Sequence, residues 1–197
     1  MKKYALFLYI VPIIFTLLIF PFSSDISTQQ TLSKTVLRFH VLGNSNATTD
    51  QQVKLLIRDT ILCYTAPLLE QATNAKEVKD ILKPILPQLT TLANQVLSEQ
   101  GFSYTASIHI EKTYFPVKQY GSLLLPPGEY EALRIVLGEG SGRNWWCLVF
   151  PSLCFVDVSN GIVPEESKQD LENNMNEEDY NLISSDTLKF KLKGSLK

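Results

Sequence analysis

Residues 102–111 have the sequence FSYTASIHIE, in which apolar and polar side chains alternate strictly. Successive side chains of a strand point to opposite faces of its sheet, so this segment is predicted to be a strand buried on one face only. His109 lies on the polar face of the strand and is expected to be exposed. Four further strands are predicted, at 35–42, 129–137, 145–150 and 153–158.

The first helical pattern follows the strand at 35–42 and a polar loop. Thr49 can cap this helix, with Gln52 as its capping-box partner. Cys63 lies on the apolar side of the helix, where a buried thiol is expected. The residues at helical spacing that predict the buried stripe are Val53, Leu56, Ile57, Ile61 and Tyr64.

The second helical pattern is predicted to begin at Asn74, with Glu77 in the capping-box position. Pro84 and Pro87 should break or kink it, so that a third helical stretch runs from Pro87 to Gly101, a suitable C-cap residue. A strand, then helices, then more strands is an order typical of the α+β class. The sequence therefore predicts a mainly antiparallel sheet with two to three helices packed on one face.

The N-terminus has the layout of an export segment. Lys2 and Lys3 precede a run from Tyr4 to Phe22 that contains no charged residue. A short basic region before an apolar run is typical of a signal peptide, and the run approaches the ~20 residues that span a bilayer as a helix. Residues 1–24 are therefore predicted to be a signal peptide or membrane anchor. Residues 25–34 are predicted to be a tether, and 35–163 an exported α+β domain.

The C-terminal residues 164–197 differ in composition from the rest of the chain. Residues 165–179 are acidic and rich in Asn, which predicts disorder or loose attachment. Residues 187–193 alternate apolar side chains and lysine. They could form an edge strand or lie at an anionic membrane surface, and the sequence leaves both interpretations open.

Composition argues against several classes of function. The net charge is −2 and no basic stripe is visible, so nucleic acid is not an expected partner. With only two histidines and no Cys-x-x-Cys motif, a zinc site is not expected either. The sequence also lacks a phosphate-binding loop and the HExxH and GxSxG motifs. No cofactor, metal or small-molecule substrate is therefore predicted.

Two of the three cysteines, Cys147 and Cys154, flank a short segment with Pro151-Ser152 as a candidate turn. In an exported chain, cysteines this close in sequence predict a disulfide. Closing so small a loop would stabilise the fold by about 2.5 kcal/mol through the entropy of the unfolded chain.

His40 is the best candidate for catalysis, because it lies at a strand end beside a polar loop. It would need a nucleophile such as Cys147, Cys154 or a serine. Cys147 follows two tryptophans, and apolar surroundings raise the pKa of a thiol rather than lower it. An exported hydrolase acting on cell wall or peptide remains the alternative function. The simpler interpretation is a partly buried, hydrogen-bonded histidine.

The adjacent Trp145 and Trp146 must point to opposite faces of a sheet. Both can be buried only if both faces are covered. An exposed tryptophan beside Arg143 would be a strong anchor for a protein partner. On the first helix, Lys54 and Arg58 lie one turn apart and could face the same partner.

Two segments resemble a known family. They are RFHVLGNSNATTDQQVKLLIRD at 38–59 and YGSLLLPPGEYEALRIVLGEGSGRNWWCLVFPSLCFVDVSNG at 120–161. The string NWWCLVFPSLCF within the second is long and unusual in composition, and therefore highly specific. Through these segments the chain resembles the stage II sporulation protein R family of endospore-forming Bacillota, across nearly the whole predicted domain.

This resemblance implies a signalling function and no enzymatic activity. Members of the family are made in the forespore and exported into the space between the forespore and mother-cell membranes. There they activate a membrane-embedded aspartic protease of the mother cell, which removes the pro-sequence of pro-sigma-E. The expected partners are this protease, the export machinery and, through the N-terminal segment, the membrane.

Residues of both segments are carried over as candidate contacts with the partner, and Arg143 is added as a neighbour of the tryptophans. The predicted set is Arg38, Asn44, Asp50, Arg58, Asp59, Glu129, Tyr130, Arg143, Asn144, Trp145 and Trp146.

Overall fold

The computed structural model describes residues 29–154 and 163–184. The predicted export segment, residues 155–158 of the last predicted strand and the lysine-rich segment at 187–193 lie outside these ranges. Within them, no helix is long and apolar enough to cross a membrane.

The described residues form an α+β fold, as predicted from the sequence. The elements are β1 (Leu37–Leu42), α1 (Thr48–Leu69), α2 (Ala75–Glu99), β2 (Ala106–Phe115), β3 (Lys118–Tyr120), β4 (Leu123–Leu125), β5 (Gly128–Leu137), β6 (Asn144–Phe150), α3 (Glu165–Asn174) and α4 (Glu177–Ile183). The main sheet has the strand order β2-β5-β1-β6. Only the β1–β5 pair in it is parallel, so the sheet is mainly antiparallel.

Helices α1 and α2 cover one face of the main sheet. Phe39 and Val41 of β1 lie on this face, and both are fully buried. Alternation places Leu133 and Ile135 of β5 beside them. The helices contribute Ile57, Ile61, Leu82 and Leu89 to the same core.

A hairpin that the sequence did not predict covers part of the second face. Strands β3 and β4 form a separate two-stranded sheet, to which Ser184 adds a single bridge at Leu123, and Tyr120, Leu123 and Leu125 of this hairpin are buried. Arg38 and His40 of β1 lie under it, on the face opposite to Phe39. Because both faces are covered here, residues 37–41 are buried without alternation.

Strand β2 begins later than the alternating segment predicts. It starts at Ala106 and pairs along its whole length with β5, from Ala106 opposite Leu137 to Phe115 opposite Gly128. Tyr104 therefore lies before the strand, where its hydroxyl donates to Asp50. The predicted exposure of His109 is confirmed.

Helix α1 differs from its prediction in its cap and in its buried stripe. Its N-cap is Ala47, which makes no side-chain capping bond, so the predicted cap at Thr49 is wrong. Leu56 is 42% exposed. Cys63 is exposed as well and is not a buried thiol. The predicted Val53, Ile57 and Ile61 are buried, and so are Lys54, Leu62 and Thr65, which the predicted stripe did not include.

Helix α2 is continuous where the sequence predicted a break. The predicted cap is confirmed, since the Glu77 amide donates to Asn74 Oδ1 at 3.0 Å. Pro84 and Pro87 lie inside the helix, and both are on its exposed side. Water can therefore satisfy the carbonyl groups that they leave without a donor. Gly101, with φ of 78°, ends the helix as predicted.

Two segments predicted to lack structure are ordered. Residues 29–35 are helical, and Leu32 is fully buried, so 29–34 are not a tether. Helices α3 and α4 occupy most of the acidic segment, and their Leu171 and Ile183 join the core. The prediction of disorder at 165–179 was wrong because a few apolar residues at helical spacing outweigh an acidic composition.

Candidate functional site

The structure brings together only part of the predicted contact set. Arg58, Asp59, Arg143 and Trp145 lie at one end of β6 and on the adjoining side of α1. These four residues, with Leu55 and Leu56 of α1, are called the Trp145 surface below. The other predicted residues are buried, hold loops together or lie elsewhere.

Trp145 is half-buried and held from two sides. Its ring meets Phe39 of β1 edge to face, with 5.9 Å between the ring centroids. On its other side the guanidinium carbon of Arg58 lies 4.7 Å from the ring centroid, a favourable cation–π geometry. Arg58 also forms a salt bridge of 2.7 Å with Asp59, whose side chain is 57% exposed. The tryptophan is therefore fixed in orientation while part of it remains open to a partner.

The backbone of Arg143 is held at both of its polar atoms. Its amide donates to Asn46 Oδ1 at 2.9 Å, and its carbonyl accepts from Lys54 Nζ at 3.0 Å. Lys54 is buried and cannot face a partner, contrary to the prediction. Burial, with added repulsion from Arg143 and Arg58, lowers the pKa of Lys54. The exposed Arg143 side chain thus extends from a rigid point in an electropositive neighbourhood.

Asn44 and Asp50 have structural roles in the loops beside this surface. Asn44 Nδ2 donates to Asp50 Oδ2 at 3.0 Å, while Asn44 Oδ1 accepts from the amide of Glu139. The amide of Gly142 donates to the carbonyl of Gly43 at 2.8 Å, and a Cβ at position 142 would meet Ser45 O at 2.2 Å. The loops at 43–46 and 138–142 are therefore locked together.

Asp50 is a charged anchor of these loops. Burial alone would raise the pKa of this carboxyl group, but hydrogen bonds from Ser45, Tyr104 and Asn44 more than offset burial and lower it. The Tyr104 hydroxyl lies 2.6 Å from Asp50 Oδ1. Asp50 thus stays ionised to hold its neighbours, and its contribution to stability is lost only at strongly acidic pH.

Arg38 and Tyr130 are buried under the β3–β4 hairpin and cannot touch a partner. The guanidinium carbon of Arg38 lies 4.0 Å from the Phe115 ring centroid and 4.9 Å from that of Tyr130. One of its nitrogens donates to the Tyr120 hydroxyl at 3.2 Å, and among the described residues the Nε and Nη1 atoms have no hydrogen-bond partner. Burial lowers the pKa of Arg38 and raises the pKa of Tyr130 to about 12. Within the part of the chain that the structure describes, aromatic rings hold this cation and no carboxylate bonds to it.

Three further predicted residues do not contribute their side chains to the Trp145 surface. Glu129 is exposed, but it lies at the opposite end of the sheet, beside Tyr114. Trp146 points to the second face, where Lys118 Nζ lies 4.1 Å from its ring centroid. Asn144 is exposed on the same strand, and its Oδ1 lies 3.0 Å from His40 Nε2.

His40 is not placed for nucleophilic catalysis with a cysteine. His40 is the cross-strand neighbour of Trp146, and Cys147 is the neighbour of Phe39. Because successive side chains of a strand alternate, His40 and Cys147 lie on different faces of the sheet. Cys147 is in a disulfide and has no thiol to activate. His40 is instead a buried histidine bonded to Asn144, as the simpler interpretation of the sequence holds.

The stability of the domain is expected to fall as the pH drops below about 6.5 because of His40. Burial, reinforced by Arg134 and Arg38, lowers the pKa of His40 in the folded state from its usual value of 6.5. The unfolded chain then binds a proton near pH 6.5 that the folded chain does not, so acidification favours unfolding. Urea unfolding of His40→Gln from pH 7.5 to 5 should show a shallower pH dependence than the unsubstituted chain.

His109→Gln is the matched control, because it changes an exposed histidine on the edge strand β2. An equal flattening of the pH dependence in both variants would contradict the role given to His40.

The predicted disulfide is present. Cys147 and Cys154 are bonded, with their Cα atoms 5.2 Å apart, and the turn at Pro151-Ser152 lies between them as expected. The bridge ties the middle of the edge strand β6 to the turn that follows this strand. Cys63 on α1 is the free cysteine and is exposed.

Replacing either bridged cysteine should cost the same stability. Cys147→Ser and Cys154→Ser are each expected to lower the free energy of unfolding by about 2.5 kcal/mol, and the double variant by no more than either alone. Denaturant unfolding measures the loss. Thiol titration of the native chain should find one reactive thiol, at Cys63; three thiols would contradict the bridge.

A cleft of about 780 Å³ lies near the C-terminal end of α1. Its lining includes Leu62, Pro67 and Phe150, with Glu166 and Asp170 of α3 at one side. His40 does not line it. Among the described residues, no group of three His, Cys, Asp or Glu side chains is close enough to hold a metal ion.

These observations describe a disulfide-bridged α+β domain with an aromatic and cationic surface at one end of its sheet. Comparison with known proteins shows which family it belongs to. The family described as stage II sporulation protein R matches residues 33–160, which contain β1 to β6, α1 and α2. The chain belongs to the stage II sporulation protein R family.

A curated relative agrees with this assignment. The chain is 37% identical over 132 residues to the stage II sporulation protein R of Bacillus subtilis (strain 168). The match covers 67% of this chain and 59% of the relative, so the chain corresponds to little more than half of that protein's length. No solved structure is a significant match.

Proposed function

We propose that the domain is an exported sporulation signal that activates a membrane-embedded aspartic protease of the mother cell. Activation would start the proteolytic processing of pro-sigma-E. The observation that carries this proposal is the family match across the whole main sheet. The export segment predicted at 1–24 and the disulfide, a bond typical of exported domains, are consistent with it.

Activation by binding sets a thermodynamic condition. A ligand shifts its receptor toward the active state only if it binds that state more tightly. Converting a receptor from mostly inactive to mostly active takes roughly a 10⁴-fold difference in affinity between the two states. The domain must therefore make contacts with the active protease that the inactive protease does not offer, and it needs no chemistry of its own.

The alternative, an exported hydrolase, has little support in the described residues. Its candidate base His40 lies on the opposite face of the sheet from Cys147, and both bridged cysteines lack a thiol. An exported signal should show no hydrolysis of peptides or cell-wall fragments when purified. Hydrolysis that His40→Gln abolishes while the variant stays folded would favour the alternative instead.

Reconstitution in a host that does not sporulate tests the proposed function. The full chain, the protease and pro-sigma-E are produced together, and shortening of pro-sigma-E is followed by gel electrophoresis. Processing is expected only when the chain is exported and the protease retains its catalytic aspartates. Equal processing without the chain, or with a chain kept in the cytoplasm by deletion of residues 4–22, would contradict the proposal.

A further inference from the structure

The two long helices of the domain differ in their outward faces. The exposed positions of α2 are all polar, charged or proline, including Lys76, Asp80 and Lys83. Between Val53 and Leu69 of α1 the exposed positions are Leu55, Leu56, Asp59, Cys63, Ala66, Pro67 and Leu68, of which only Asp59 is charged. The opposite side of α1 is buried in the core, so this helix is apolar on both sides. A helix of that kind is normally covered on both sides.

The exposed leucines of α1 are large, and two of them, Leu55 and Leu56, belong to the Trp145 surface. Leu55 is 38% exposed, Leu56 42% and Leu68 44%. Leu55 lies one helical turn before Arg58, which packs on Trp145. From Leu55 to Pro67 this exposed face is about 18 Å long. The end of β6 with Trp145 lies beside this face and continues it.

The charges beside this face are mostly positive. Arg143 is exposed, Arg58 is partly exposed, and the buried Lys54 adds a third positive charge. Of the described acidic side chains at or beside this face, Asp59 already pairs with Arg58, and Asp50 is buried and hydrogen-bonded to Asn44 and Tyr104. A partner that fits this pattern presents apolar side chains bordered by carboxylates near Arg143.

We propose that the outward face of α1, together with Arg143 and Trp145, is the docking surface for a partner protein that presents an apolar ridge bordered by acidic residues. This inference rests on the proposed function for the identity of the partner, the processing protease. It adds which face of the domain binds, and which chemistry that face requires of its partner.

Two other occupants fit the pattern less well. A second copy related by a two-fold axis would bring Arg58 and Arg143 toward the same cations of its neighbour. An anionic bilayer would attract these arginines but repel Asp59. It would also require Leu55 and Leu56 to reach the acyl boundary, whereas more than half of each side chain is already packed against the domain.

Cys63 provides a direct probe of this face. It is the free cysteine and lies on the exposed apolar side of α1. A photoactivatable benzophenone maleimide attached to Cys63 of the full chain should crosslink to the protease when both are present in membranes. The control carries Cys63→Ser and Lys83→Cys, which moves the same label to the polar face of α2, and it should give little adduct.

Substitutions test the chemistry of the contact. Arg143→Glu, and the double variant Leu55→Gln with Leu56→Gln, should each lower the yield of protease adduct about tenfold. The matched controls are Lys83→Glu on α2 and Val117→Gln, which replaces an exposed apolar residue remote from α1. Both should leave the yield unchanged. The wild-type yield should also fall with added salt, because Arg143 lies at the rim of the contact.

The outcomes separate this inference from the proposed function. If pro-sigma-E is processed but no Cys63 adduct forms, the docking surface is wrong and the activator function stands. The same follows if Arg143→Glu and the double leucine variant both activate as well as wild type. An adduct with a second copy of the chain, or loss of the protease adduct to vesicles of anionic lipid, also overturns it. A protease adduct with the expected charge dependence but without processing supports the surface and contradicts activation.

Discussion

Trp145→Ala is expected to weaken activation of the protease about 30-fold, the loss that follows from removing about 2 kcal/mol of contact energy at a buried aromatic anchor. Trp145 is held between Phe39 and Arg58, so its side chain loses little conformational entropy when a partner binds. The measurement is the concentration of domain that gives half-maximal processing of pro-sigma-E. Each value is corrected for the folded fraction, which is determined by denaturant unfolding.

Trp146→Ala is the control for this result. It removes the same side chain from the next residue, but from the second face of the sheet, where Lys118 and His40 contact the ring. Activation by this variant should stay within about threefold of wild type, which corresponds to less than 1 kcal/mol. If both variants, once corrected for folding, lose activation equally, the Trp145 surface is not the contact. Trp145→Phe should retain part of the activity.

Arg38 should separate folding from function. Arg38→Ala is expected to lower the free energy of unfolding by about 3 kcal/mol, because it leaves a cavity among Phe115, Tyr130 and Tyr120 in a fully buried place. Arg38→Met fills most of that volume and removes a buried charge that no described carboxylate pairs with. It is expected to change the stability by less than about 1 kcal/mol, or to raise it.

Activation distinguishes the buried role of Arg38 from the predicted contact role. Folded Arg38→Met should activate the protease as well as wild type, since Arg38 is not accessible to a partner. Loss of activation by this variant, with an unchanged unfolding curve, would mean that Arg38 meets the partner and that the β3–β4 hairpin opens on binding. Hydrogen exchange of the hairpin amides with and without the protease would then locate the opening.

The error over Arg38 has a specific origin in the sequence. The alternation along β1 correctly separates Arg38 and His40 from Phe39, but alternation cannot tell whether a second face is open. That depends on the hairpin at 118–125, whose strands are three residues each and too short to give a periodic signal. Without the hairpin, an arginine on a strand is expected at the surface, and a motif residue there is taken for a contact.

Other elements were predictable because local signals agree with the tertiary fold. Strands β5 and β6 match their predicted ranges within one residue, since each contains a run of apolar and aromatic residues and is bounded by glycine or proline turns. Asn74 was also predicted correctly as the N-cap of α2. Asn44 was assigned to a partner because a polar loop residue looks the same from sequence whether it binds a protein or the neighbouring loop. Only the structure shows its bonds to Asp50 and Glu139.

The locked loops beside the Trp145 surface affect how fast and how tightly a partner can bind. Residues 43–46 and 138–142 are fixed to each other through Asn44 and the close approach at Gly142, and Asn46 and Lys54 fix the backbone of Arg143. A partner therefore meets a backbone that is already ordered and loses little conformational entropy in docking. A side chain at position 142 would force the two loops apart. A partner would then have to order them on docking, and it would bind more weakly.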